Sequence, residues 1–137
     1  MPVTPYLFLD GRCEEAIEFY KKNLGAKTEM LMRFKEAPPE QPCTPGTENK
    51  IMHACITING APVMLSDGHA KNNPEFKGFS LSLDAKEAAE GKRMFDALSQ
   101  GGQVQMPLME TFFAKSFGMV ADKFGVGWMI IADPKNP

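Results

Sequence analysis

Two side chains in this 137-residue sequence suit acid–base chemistry. His53 lies between Met52 and Ala54, near the start of an apolar run, and imidazole titrates where proton transfer is useful. It reads either as a ligand or general base facing a cleft, or as a hydrogen-bonded structural histidine on a half-buried strand. Glu110 stands beside Thr111, Phe112 and Phe113. A carboxylate against aromatic rings has a raised pKa and can serve as acid or base. Its other reading is a solvated strand-edge residue, or a partner of a lysine such as Lys115. Cys55 follows His53 by two residues, so on a strand both point the same way. Their separation of roughly 7 Å is too long for a nucleophile pair without help. Cys13 stands near the start of a helix, where the dipole lowers a thiol's pKa, but it also fits that helix's apolar face, and packing is its reading. His69 sits in a polar turn and reads as solvated.

These groups need elements to hold them. Thr4 to Leu9 reads as a buried strand closed by Asp10-Gly11. Cys13, Ala16, Ile17, Tyr20 and Leu24 then share one helical face, and Gly25 suits the left-handed helix end. A strand runs from about Lys27 to Phe34. Lys35 to Asn49 holds Pro38, Pro39, Pro42, Pro45 and Gly46 and reads as a long loop. Ile51 to Ile58 and Pro62 to Leu65 flank Asn59-Gly60, a type I′ hairpin turn. The order then repeats. Phe79 to Leu83 is a strand, and Asp84 with Glu87 matches a capping-box spacing. Ala88, Gly91, Phe95 and Leu98 form a helix face ended by Gly101-Gly102. Strands follow at Gln103 to Leu108, Thr111 to Ala121 and Val126 to Ile131. An offset of 74 residues aligns Leu7 with Leu81, Leu9 with Leu83, Asp10 with Asp84 and Leu24 with Leu98. The fold class is therefore α+β: one domain over 1–137 made of two βαβββ modules, about 1–68 and 76–133. Their curved sheets pair around a cleft suited to a small ligand, with helices outside.

Composition narrows the function. A net charge of −2 without a basic cluster argues against nucleic acid. No apolar run approaches the roughly 18 residues of a membrane span, and Met1 to Asp10 lacks a signal-peptide pattern. Cytoplasmic residence is the expectation. Cys13, Cys43 and Cys55 are odd in number and lack C-x-x-C spacing, so neither a disulfide framework nor a zinc knuckle is indicated.

The segments Tyr6-Leu7-Phe8-Leu9-Asp10-Gly11, Glu14-Glu15-Ala16-Ile17-Glu18-Phe19-Tyr20 and Leu24-Gly25-Ala26 resemble the opening of vicinal oxygen chelate modules, the glyoxalase/bleomycin-resistance superfamily. Met52-His53-Ala54, Met64-Leu65-Ser66-Asp67-Gly68, Glu110-Thr111-Phe112-Phe113 and Phe117-Gly118-Met119-Val120 resemble its PhnB-like branch. So does Asp122-Lys123-Phe124-Gly125-Val126-Gly127-Trp128-Met129-Ile130. The resemblance implies paired βαβββ modules, commonly a homodimer, and in active members a divalent metal that acts as Lewis acid on vicinal substrate oxygens. The branch carries a 3-demethylubiquinone methyltransferase-like label. The turn Asp10-Gly11-Arg12-Cys13, with one glycine, does not support a nucleotide cofactor.

The resemblance also places the metal ligands, and these positions are poor in donors. Met129 stands where a ligating Glu is common. Thr4 and Pro5 stand where the first strand offers His, and Phe79 and Ser80 open the second module. A thioether serves hard ions badly. His53 and Glu110 remain the only metal candidates and the catalytic candidates. Tyr6, Phe8, Phe113, Phe117, Met119, Trp128 and Met129 are the expected ligand-binding residues, with core filling as their other reading. Three functions stay open: a lyase- or dioxygenase-like metalloenzyme, a metal-free small-molecule binder, and an interaction protein with a closed cleft. The missing Glu and His favour the binder.

Overall fold

A computed structural model describes residues 3–38, 45–68 and 74–135. The chain forms two compact units, Met1–Pro74 and Glu75–Pro137. In the first, β1 (Tyr6–Phe8), α1 (Cys13–Leu24), β2 (Lys27–Arg33), β3 (Ile51–Ile58) and β4 (Ala61–Ser66) follow one another. The second repeats the order with β5 (Leu81–Ala85), α2 (Ala88–Ser99), β6 (Gln103–Met109), β7 (Ala114–Ala121) and β8 (Gly127–Pro134). Each unit carries a four-stranded mixed sheet, in the orders β1-β4-β3-β2 and β5-β8-β7-β6. Each joins its first and last strands in parallel and the rest antiparallel. Both helices have 12 residues, as a repeat requires.

The alternation of side chains gives each sheet one buried face. Leu7, Ala54, Ile56, Val63 and Leu65 are buried in the first unit, as are Cys13, Ala16, Ile17, Tyr20 and Leu24 of α1. Each fully buried Leu or Ile contributes about 1.5–3 kcal/mol of transfer free energy. In the second unit Ile130 and Ala132 lie under α2. A Cβ on Gly91 would stand 2.9 Å from the Ala132 Cβ, so glycine lets the helix rest directly on β8.

The turns follow their residue types. Gly25 (φ 68) caps α1 in the left-handed region, and Asn59 (φ 51) with Gly60 (φ 80) makes the expected hairpin turn. Several boundaries differ from expectation. Regular pairing in β1 is confined to Tyr6–Phe8, although Pro5 and Leu9 extend its hydrogen bonds to β4. β5 begins at Leu81, not Phe79. β7 begins at Ala114, because the Thr111 hydroxyl accepts the amides of Phe113 (3.3 Å) and Ala114 (3.1 Å) and folds 111–114 into a turn. The capping box expected from Asp84 and Glu87 is absent. Asp84 lies within β5, and the Asp133 carboxylate accepts the Ala88 amide (3.2 Å) at the start of α2. Met94, not Ala88, joins the buried face of that helix.

Part of the expected 35–49 loop, with Pro39, Pro42 and Cys43, lies outside the described residues, as does His69. The described flanks are tied down. Phe34–Glu36 forms a 3-10 turn, and the Arg33 guanidinium donates to Glu14 (2.6 Å) and to the Asn49 carbonyl (2.7 Å).

Candidate functional site

The face of the first sheet opposite its buried one carries reactive types in two cross-strand rows. In one, Met30 pairs with Cys55, Cys55 with Met64, and Met64 with Tyr6. In the next, Met32 pairs with His53, and Phe8 with Ser66. Paired residues share a face, so a half-exposed surface of thioethers and rings surrounds one imidazole.

The tightest polar contact on that face joins Tyr6 and His53, with hydroxyl and Nδ1 2.7 Å apart. Their ring centroids lie 5.5 Å apart, and Tyr6 stacks on Phe8 at 4.9 Å. Partial burial raises the Tyr6 hydroxyl above its ordinary pKa; a hydrogen bond with Ser66 opposes this and the Cys13 thiol adds to it. The phenol therefore stays protonated at neutral pH. As donor to Nδ1 it leaves the proton on Nε2; as acceptor from Nδ1 it leaves Nε2 free as a base or ligand. His53 thus sits on the open face, oriented by a residue that sequence reasoning placed among ligand contacts.

Just after β4 stands a buried carboxylate, that of Asp67. Asp67 Oδ1 accepts the amides of Gly11 (2.6 Å) and Cys13 (3.0 Å), and Oδ2 accepts that of Ile51 (3.1 Å). It ties the β1–α1 turn and the start of His53's strand to the end of β4. The Ser66-Asp67-Gly68 segment reads as a turn in sequence; the convergence of three amides on one carboxylate is tertiary. Cys13 is fully buried, and burial, with Asp67 and Glu14 nearby, pushes its thiol up. It is a packed residue, not an activated nucleophile.

The second unit has its own hollow, of about 500 Å³. Phe76, Phe79, Gln105, Met119 and Met129 line it, with Lys77 at the side paired to Glu75 (3.2 Å). Phe76 and Phe79 meet edge to face at 6.5 Å. Gly127 makes room for the 76–80 segment, since a Cβ there would stand 3.3 Å from the Ser80 hydroxyl, while Gly125 is needed for its left-handed φ of 88°. Met119 and Met129, two of the expected ligand contacts, line this concavity. Phe76, Phe79 and Gln105 carry no periodic signal that would have marked them.

Phe117 is buried on the same face as Met119, and Phe113, in the 111–114 turn, packs edge-on against it at 5.0 Å. Trp128 departs from expectation. It pairs with Leu81, shares strand parity with Ile130 under α2, is 2% exposed, and donates its indole N–H to Asp122 Oδ2 (2.9 Å). The same carboxylate accepts the amides of Phe124 and Val126. Trp128 belongs to the core beside the turn before β8.

Glu110 takes the second of its two readings, with a different lysine. It is an exposed ion-pair partner of Lys135 (2.6 Å), not of Lys115. That hydrogen bond and the lysine charge hold its carboxyl below the ordinary range, opposite to a raised pKa against aromatic rings. His53 is in the first unit and Glu110 in the second. Among the described residues no three His, Cys, Asp or Glu side chains group as a metal site. Thr4, Pro5, Phe79, Ser80 and Met129 do not form a donor set for a hard divalent ion.

Comparison with known proteins places this geometry. The family described as 3-demethylubiquinone-9 3-methyltransferase matches residues 1–131. Protein YjdN of Escherichia coli is 39% identical over 100% of this chain and 99% of its own. The crystal structure of PA1353 from Pseudomonas aeruginosa superposes with a TM-score of 0.85 at 41% identity, covering 97% of this chain and 98% of that one. A PhnB protein from Bacillus cereus gives 0.80 at 30%, covering 96% and 99%. A glyoxylase/bleomycin resistance protein/dioxygenase domain from Frankia, at 15% identity over 100% and 95%, shares the fold with a TM-score of 0.63.

Proposed function

The chain belongs to the 3-demethylubiquinone-9 3-methyltransferase family, the PhnB-like branch of the glyoxalase/bleomycin-resistance fold, and on that premise we propose that it binds a flat, largely apolar small molecule. The observation that carries this reading is the hollow of the second unit, walled by two phenylalanine rings and two thioethers with Gln105 as a polar contact. A planar ring stacks or meets these rings edge-on, and methionine adapts to its outline. The Tyr6–His53 pair is the proton-handling element of the first unit: His53 accepts a proton at Nε2 while Tyr6 fixes the ring through Nδ1. Glu110 takes no part in proton transfer, being committed to Lys135.

Methyl transfer is not part of the proposal. Asp67 already occupies the amides of Gly11 and Cys13 in the single-glycine turn at the start of α1, where an anionic cofactor group would otherwise dock. Nor is a step through a hard divalent metal, since the expected ligand positions lack donors for one. A homodimer and cytoplasmic residence belong to the same reading, and light scattering of the purified protein tests the first.

The test of binding is methyl NMR of 13C-methionine protein titrated with a panel of aromatic fragments. The Met119 and Met129 signals should move in a saturable way, while buried Met94 stays still. If no aromatic compound moves either signal at millimolar concentration, the reading fails.

A further inference from the structure

We propose that the open face of the first sheet holds a soft monovalent cation of the Cu(I) type, bound by Met30, Cys55 and Met64. This site is separate from the hollow of the second unit and does not depend on it. Met30 on β2, Cys55 on β3 and Met64 on β4 are register partners across three adjacent strands, so a thioether, a thiol and a thioether stand in one row on one face. Directly paired residues have Cβ atoms about 4.5–5.5 Å apart. Each methionine has three rotatable bonds, enough to swing its sulfur over the central Cys55 without moving the backbone. Met32 and His53 form the adjacent row and extend the soft surface.

The donor chemistry selects the ion. Thiolate and thioether ligands prefer Cu(I) and its soft relatives, whereas carboxylate and carbonyl oxygens serve magnesium, calcium and manganese. No carboxylate belongs to this row. Eight of the ten methionines (Met30, Met32, Met52, Met64, Met106, Met109, Met119 and Met129) lie in the strands. Only on the first sheet does a thiol lie between two of them in register. Cys55 is half-buried and reachable, whereas Cys13 is sealed in the core. On binding, the Cys55 thiol releases its proton to solvent and the sulfur joins the ion as thiolate.

The experiment uses the full chain with Cys43→Ser, which removes a competing thiol. Native mass spectrometry with Ag(I), and anaerobic competition of Cu(I) against a chromophoric chelator, should give one ion per chain. Cys55→Ser should abolish binding. Met30→Leu with Met64→Leu, which keeps side-chain volume and so the fold, should weaken it by about tenfold to a hundredfold. If the double methionine variant binds as tightly as its parent, a solitary thiol is at work and the proposal is overturned. Stoichiometric binding that survives Cys55→Ser, or no binding by the parent at micromolar ion, overturns it too.

Discussion

Replacing Asp67 by Asn should destabilise the protein far more than a one-atom change in a turn would lead one to expect. The carboxylate is 7% exposed and accepts three backbone amides, two on Oδ1 and one on Oδ2. Asparagine keeps the shape but has one acceptor oxygen. With that oxygen toward Gly11 and Cys13, the amide NH2 faces the Ile51 N–H, donor against donor. A buried donor left without a partner costs about 1–3 kcal/mol. The two surviving bonds lose their charge assistance, which roughly halves their strength and removes about another 1 kcal/mol. The sum is about 2–4 kcal/mol, out of the roughly 5–15 kcal/mol that holds a typical domain together. At about 3 °C per kcal/mol for a chain of this length, Tm should fall by about 6–12 °C. Urea unfolding followed by far-UV circular dichroism gives the number directly, and an unchanged m value would confirm that the unfolded surface is the same. A loss below 1 kcal/mol would refute the claim that this carboxylate organises the β1–α1 turn and the start of the His53 strand.

Further outcomes follow from the same contacts. Gly118→Ala should lower stability by about 1–3 kcal/mol, because the new Cβ meets the Phe95 ring at 2.8 Å and Leu108 at 3.0 Å; thermal melting that shows a gain would contradict this packing. His53→Ala should cost less than about 1 kcal/mol, since its bond to Tyr6 is exposed, and a loss above 2 kcal/mol in the same assay would make His53 structural. Tyr6→Phe should shift the balance of His53 tautomers, read from imidazole 15N shifts, and identical spectra would mean that Tyr6 does not orient the ring. Glu14 is held low mainly by its hydrogen bond to Arg33, and Glu110 by its bond to Lys135. A lowered carboxyl stabilises the fold above the ordinary carboxylate range and loses that contribution as pH falls through its depressed pKa. Glu14→Gln and Glu110→Gln should therefore flatten the acid side of the stability profile slightly. Both groups are exposed, so the difference should fade in high salt, and its persistence there would argue against simple ion pairing.

Local rules made much of this protein legible. Helical spacing from Cys13 to Leu24, Gly25 after it and Asn59-Gly60 between two apolar runs specify their elements through backbone geometry and burial alone, which is why they appear as read. The repeat is legible for the same reason, since βαβββ order is a pattern of periods. Strand parity marked His53 and Cys55 as neighbours on one face. Register across strands was beyond reach: that Met30 and Met64 flank Cys55, and that Tyr6 reaches His53 over 47 residues, depends on pairing that no local signal encodes. The same holds for charge. Glu110 looked like a carboxylate among aromatics, but Lys135, 25 residues away, became its partner; Trp128 looked like a pocket wall until Asp122 claimed its indole. Sequence alone determined the elements and the reactive types available, because those depend on neighbours along the chain. Tertiary structure decided which types meet, because a hydrogen bond or an ion pair depends on distance in space and on the water that folding removes.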